Sequence, residues 1–348
     1  MFNSFEEYIF LIIKNYFCTL FIQIKSLAQL LRILKFVGIL LISGLLYYQV
    51  VHGKGYEALL TSWENQSVHW DYKYLIFSIL LMPVNWYLES KKWQILMCPH
   101  TKLTFQQALK TVLSGIALGI VTPARIGEYG GRLLTSDPNQ KPQVISATLL
   151  GSIAQNLCNV VVGLLFSYYF LKSIFNVTYT EHITFRIVVG IQILLLIFIY
   201  YKLPKVAQFV ERFFKWKYFL KISSKLKSLD LYTIKILNKI LLISALRYGI
   251  YFSQYYLILQ FLGVQNNFLE LSGGIASIYL IQTGIPLPAF LSILARGELA
   301  ILVWSSLGII ELTALVATFI LWFVNLIFPS FIGLIILTRF DVKAYFKG

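Results

Sequence analysis

The 348-residue chain is 58% hydrophobic and only 13% charged, with a mean hydropathy of +0.72. A soluble domain averages roughly 45–50% apolar and about 25% charged residues, so a water-soluble core is excluded as the place where this apolar surface is hidden. The net charge of +15 would suggest nucleic acid in a soluble protein. Here the basic residues fall between apolar runs, as they do in the cytoplasmic loops of membrane proteins, and no nucleic-acid partner is expected.

The length suits about seven to nine membrane passages of about 20 residues each. Residues 1–35 read as an N-terminal amphipathic segment: Glu7, Lys14, Cys18, Lys25 and Gln29 fall on one narrow helical face, and Ile9, Ile12, Ile13, Phe17 and Leu20 cover the rest. Such a helix lies in the membrane interface. Apolar stretches follow at 36–51, 73–90, 104–121, 143–171, 187–201, 240–262, 268–285, 298–309 and 313–337. Between them, 202–239 carries Lys202, Lys205, Arg212, Lys215, Lys217, Lys221, Lys225, Lys227, Lys235 and Lys239 with interleaved aromatics. It reads as a basic cytoplasmic linker dividing a first membrane half, 36–201, from a second, 240–348.

Charge placement constrains the topology. The N-terminal segment, the loop at 91–103, the linker and the tail with Arg339, Lys343 and Lys347 are all Lys/Arg-rich, which puts all four, and both termini, on the cytoplasmic side. Three full crossings between 103 and 202 would put the linker outside. The conflict disappears if 104–135 enters from the cytoplasm, breaks and returns. In the second half a broken pair at 268–309 satisfies the charge count, and so do four full crossings. The expected architecture is therefore an all-α polytopic membrane protein in two inverted-topology halves, each with a broken re-entrant helical hairpin. In such proteins the site lies where the broken helices meet.

The first break reads Thr122-Pro123-Ala124-Arg125-Ile126-Gly127-Glu128-Tyr129-Gly130-Gly131-Arg132. Pro123 removes an amide donor and Gly127 permits unusual backbone angles. Arg125, Glu128 and Arg132 follow one another at helical spacing. A charge at the bilayer centre costs about 2.5–3.5 kcal/mol on translocon scales, so such groups pair or line a wet cavity. The second break carries Pro286 and Pro288, then Arg296 and Glu298. Ser152, Asn156 and Asn159 share a helical face with Gly163, and Arg247, Tyr251 and Gln254 share another; both sets suit either cavity lining or interhelical hydrogen bonds. Asn85 and Glu89 sit one turn apart beyond Pro83. Glu89, beside Lys91 and Lys92, reads as an interfacial, structural residue. The histidines (52, 69, 100 and 182) and cysteines (18, 98 and 158) show no metal-ligand spacing, and no phosphate loop or nucleophile elbow is present. No metal or cofactor is expected.

The stretch Thr122 to Arg132 resembles the Pro-Gly-Arg-x-Gly-Glu signature of the flippase-like membrane region of the lysylphosphatidylglycerol synthase family, which includes the membrane half of the multiple peptide resistance factor and stand-alone proteins. The resemblance covers roughly 36–340. It departs at Ala124, where glycine is usual. It departs again after Pro286-Leu287-Pro288, where Ala289-Phe290 replaces paired glycines and the acid arrives only at Glu298. The family implies translocation of aminoacylated phospholipids or related polar lipids between leaflets. The aminoacyltransferase domain of fused members is not in this sequence, so the chain is expected not to be an enzyme making lysylphosphatidylglycerol by itself.

Two classes of function follow. The first is a flippase or transporter that moves a polar-headgroup phospholipid, aminoacylated or not, between the leaflets of the cell membrane. Arg125, Arg132, Arg296 and Arg247 would bind the headgroup phosphate, Glu128 and Glu298 would balance the charge, and Asn156 and Asn159 would line the path. The alternative is a membrane transferase or carrier for polyprenyl-linked sugars using the loop acids Glu57, Glu64 and Asp71, or a non-catalytic partner of a separate lipid-synthesis enzyme. The oligomeric state is left open.

Overall fold

The computed structural model describes residues 70–120, 122, 125–174, 179–203, 227–284 and 289–339. The chain divides into two compact units, Met1–Ala58 and Leu59–Gly348, and every described residue belongs to the second. The N-terminal amphipathic segment, the first apolar stretch, Pro123, Pro286, Pro288, most of the basic linker and the last residues of the tail lie outside the described residues.

All regular structure among the described residues is helical. Helix α1 (Tyr72–Met97) starts where the Asp71 carboxylate accepts the Lys73 amide at 3.3 Å. Helix α2 (Phe105–Gly119) starts at a reciprocal capping box. The Gln107 amide donates to Thr104 Oγ1 at 3.3 Å and the Thr104 amide donates to Gln107 Oε1 at 2.9 Å, which satisfies two otherwise orphaned donors. After the break come α3 (Gly127–Leu134), α4 (Lys141–Ile174) and α5 (Tyr179–Tyr201). A 3-10 turn, Lys227–Leu231, precedes α6 (Ile234–Phe261), capped by Thr233. Helix α6 therefore begins inside the stretch read as linker. It is followed by α7 (Phe268–Gly284), α8 (Ala289–Ser305), α9 (Glu311–Trp322), a π turn (Phe323–Ile327) and α10 (Phe328–Thr338). Gly263 (φ 77°) ends α6 and Gly308 (φ 75°) follows α8, the left-handed conformation that terminates helices.

Three described segments are long and apolar enough to cross a bilayer by length and composition: Pro138–Tyr168, Ile183–Tyr201 and Glu311–Thr338. Exposed faces carry large apolar side chains at helical spacing, such as Ile187, Ile191, Leu194 and Phe198 on α5, and Phe331, Leu334 and Ile335 on α10. Water does not tolerate contiguous apolar faces of this kind, and lipid does. Helices α1 and α6, also read from sequence as spans, carry polar residues that turn inward and bond to each other.

Small residues set the helix contacts. A Cβ on Gly131 would lie 2.2 Å from the Ser114 carbonyl oxygen, and one on Gly127 would lie 2.0 Å from that of Leu118. Later residues of α3 thus meet earlier residues of α2, so the two form a close antiparallel hairpin. A Cβ on Gly333 of α10 would lie 2.1 Å from the Leu113 carbonyl oxygen of α2. Gly163 of α4 faces Leu280 of α7, and Gly273 of α7 faces Phe170 of α4. Helices α7 and α8, joined by residues 285–288, pack where Gly274 meets Trp304. The two expected hairpins are therefore unequal: the returning arm has eight residues in the first and 17 in the second.

Helices α1 and α6 run antiparallel. Gln254 Nε2 donates to the Ser78 carbonyl at 3.0 Å, and Arg247 Nε donates to Asn85 Oδ1 at 2.8 Å. The Tyr232 hydroxyl reaches the Leu96 carbonyl at 2.7 Å. Trp93, Leu96, Val112, Ala147, Leu150 and Ile240 close an apolar cluster beside this seam.

Candidate anion-binding cavity

The break between α2 and α3 is held by Thr122. Its hydroxyl accepts the Gly127 amide at 2.6 Å and donates back to the Leu118 carbonyl at 3.3 Å. Arg125 follows with φ 56°, a left-handed conformation uncommon for a residue with a side chain. One turn on, Glu128 points into the space between α1, α3, α4 and α6.

That space is a cavity of about 350 Å³. Its wall includes Asn85, Glu89 and Lys92 of α1, Glu128, Tyr129 and Arg132 of α3, Ser152, Gln155 and Asn156 of α4, Arg247 and Tyr251 of α6, and Arg125. Asn325, on the π turn, lines it too; π-helical turns recur at functional sites.

Glu89 is the hub. Its side chain is 8% exposed. It takes Lys92 Nζ at 2.8 Å and Arg132 Nη2 at 2.8 Å, and it also takes Arg247 Nη1. Arg132 is shared with Glu128, one helical turn away, and its guanidinium lies 4.5 Å from the Trp93 ring centroid. Arg247 is further held by Asn85, by Gln155 Oε1 at 3.1 Å and by the Tyr251 hydroxyl at 3.1 Å. Arg125 is different: its side chain is 45% exposed, and its one ion pair among the described residues, to Glu128, is long at 3.5 Å. Four cations, Lys92, Arg125, Arg132 and Arg247, thus share two carboxylates, Glu89 and Glu128, and the wall carries two surplus positive charges.

The structure brings Arg125, Glu128, Arg132, Arg247 and Asn156 to one cavity. Asn159 stands outside its lining. Its amide donates to Thr283 Oγ1 at 3.2 Å and so ties α4 to α7. Arg296 and Glu298 are likewise not among the lining residues. Arg296 feels the Arg125 charge and the hydroxyls of Tyr279, Tyr251 and Tyr255, whereas Glu298 feels the like charge of Glu311. The two members of the second motif therefore face different surroundings.

Glu89, read from the sequence as an interfacial, structural residue, is a buried bridge between three basic side chains. The signal was present. Ser78, Met82, Asn85, Glu89 and Lys92 recur at three- and four-residue steps, one face of a helix, and all are buried. Lys91 and Lys92 look alike as a basic pair but point about 100° apart. Lys92 turns into the cluster, while Lys91 lies over the Tyr87 and Phe105 rings at 5.7 and 5.6 Å.

A helical membrane protein with a charged cavity inside it is the class this fold and site define. The family described as lysylphosphatidylglycerol synthase TM region matches residues 35–333, and the chain belongs to it. No curated protein and no solved structure matches the chain.

Proposed function

We propose that the chain is a lipid flippase or transporter that takes a polar phospholipid headgroup into the cavity while the acyl chains stay in the bilayer. The family supports a membrane lipid-related function. The observation that carries the finer reading is the pair of surplus positive charges in the wall. Uncompensated charge inside a membrane protein is expensive, and a phosphate would neutralise it with charge-assisted hydrogen bonds. Arg132 and Arg247 are already held by carboxylates. Arg125, half-exposed and loosely paired, would meet the phosphate first. Its planar fork suits phosphate better than an ammonium does.

In this reading the α2–α3 hairpin enters the cell membrane from the cytoplasm, both termini are cytoplasmic, and the chain performs no covalent chemistry. A separate lipid-synthesis enzyme would supply the lipid. The test is leaflet-resolved lipid exchange in proteoliposomes. Arg125→Ala and Glu128→Ala should each slow exchange by at least about tenfold, Arg125→Lys should be impaired, and a change at exposed Lys235 should have no effect. Wild-type exchange by well-folded Arg125→Ala and Glu128→Ala proteins would overturn the reading.

A further inference from the structure

We infer that the cavity selects lipids by net headgroup charge, taking a terminal phosphomonoester in preference to a phosphodiester and rejecting cationic, amine-bearing headgroups. This rests on the lipid-transport reading and specifies its substrate class.

The argument begins with how the carboxylates are used. Glu89 is engaged by Lys92, Arg132 and Arg247, and Glu128 by Arg132 and Arg125. Among the described residues no other acidic side chain lines the cavity. An ammonium entering on a headgroup finds both carboxylates occupied and must displace a guanidinium to pair. Two of the polar groups near them, Gln155 and Asn85, are committed as well. Gln155 Oε1 accepts from Arg247 while its amide donates to the Ser244 carbonyl at 3.2 Å, and Asn85 Oδ1 accepts from Arg247.

The surplus then ranks the ligands. A phosphomonoester carries about −1.5 to −2 charges near neutral pH and brings the wall close to neutrality. A phosphodiester carries one negative charge and leaves one surplus cation. A zwitterionic headgroup leaves two. A lysyl ester of phosphatidylglycerol has two amines against one phosphate, so it raises the total to three. With Lys92 neutral, three arginines, which stay protonated, still face two carboxylates, so one surplus cation remains and the order from phosphodiester to zwitterion to lysyl ester stands. At an effective dielectric of about 20, one unit of charge a few ångströms from another changes affinity by more than about tenfold.

The experiment measures exchange of tail-labelled phosphatidic acid, phosphatidylglycerol, phosphatidylcholine and lysyl-phosphatidylglycerol, each as a trace component of phosphatidylcholine proteoliposomes holding the full chain. Phosphatidic acid should move fastest. Phosphatidylglycerol should follow, and lysyl-phosphatidylglycerol should lag it by at least about tenfold. Lysyl-phosphatidylglycerol moving as fast as phosphatidylglycerol overturns the selectivity and leaves lipid transport standing. If none of the four moves, the transport reading itself fails. Labelled inorganic phosphate in the same vesicles separates a headgroup from a free anion: phosphate flux without phosphatidic acid exchange overturns the lipid assignment. Lys92→Met removes one surplus charge, so its phosphatidic acid to phosphatidylcholine rate ratio should fall by at least about threefold. An unchanged ratio in a folded Lys92→Met protein sinks the electrostatic basis.

Discussion

Glu89→Gln is the substitution that bears most directly on the buried cluster. The amide keeps the shape of the side chain and one acceptor oxygen but removes the charge that Lys92, Arg132 and Arg247 share. Four cations would then face Glu128 alone. Breaking a buried ion pair by removing one partner destabilises by about 3–5 kcal/mol, because it leaves uncompensated charge. With an amide retained, the lower end, about 3 kcal/mol, is expected, roughly a 150-fold change in the folding equilibrium. At about 2–4 °C per kcal/mol for a domain of this order of size, melting should fall by about 6–12 °C. The paired substitution is Lys92→Met. It loses a 2.8 Å contact to Glu89 but leaves Glu89 both arginines and lowers the surplus, so its effect should stay within about 1 kcal/mol. The assay is thermal melting of detergent-purified protein, followed by monodispersity on size-exclusion. If Glu89→Gln melts within 2 °C of wild type, or Lys92→Met falls further than Glu89→Gln, the charge reasoning is wrong.

Gly131→Ala should prevent close packing of the hairpin and cost about 2–3 kcal/mol, because its Cβ would meet a backbone carbonyl at 2.2 Å. Gly190→Ala, with nothing within 4 Å, should be neutral or stabilising by up to about 1 kcal/mol; equal melting shifts for the two would contradict the packing. His100, after the end of α1, has its pKa pushed below the usual imidazole range by burial and packs edge-on to Tyr232 at 6.2 Å. A depressed pKa means the unfolded chain binds the proton more readily, so this contribution is complete above the ordinary value of about 6.5 and is lost as pH falls below it. His100→Phe should therefore gain melting temperature relative to wild type between pH 8 and pH 5.5, and a pH-independent difference counts against it. For topology, single cysteines at exposed Cys98 and at 137, in place of Asp137, should react from the same side of the membrane if the hairpin is re-entrant; opposite-side labelling removes it.

Much of this was legible in the sequence because membrane proteins write their constraints in composition. The apolar runs located the described helices to within a few residues at most ends, since lipid-facing and core-facing positions are both apolar. The first motif marked the α2–α3 break because proline and glycine act locally. Three things were less legible, each for a physical reason. The inward face of Glu89 and Lys92 shows in the three- and four-residue recurrence along α1, but their partner Arg247 lies far along the chain, and a local periodicity does not name it. The start of α8 at Ala289 rather than near 298 adds a largely apolar run, 289–295, ahead of the charged pair. The separation of Arg296 from Glu298 follows from their two-residue spacing, which places them on different sides of a helix.

The same charges that line the cavity also hold helix α3 in place. Helix α3 has eight residues, well short of the length at which a helix stands alone in water. It is kept in position by glycine contacts with α2 and by Arg132, which joins Glu128 on its own helix to Glu89 on α1. Arg132 is therefore as much a tether as a site residue, and removing it should lower stability and transport together. Arg125 carries no such tether: it is half-exposed, sits at the break itself, and touches the cluster only through a 3.5 Å pair. A phosphate that draws Arg125 away from Glu128 would leave Glu128 to Arg132 alone, and so strengthen the tether while the ligand is bound. In the proposed transport reading, ligand binding and hairpin position would be linked through one carboxylate, Glu128, and Arg125 would be the residue at which a loss of transport can be separated from a loss of fold.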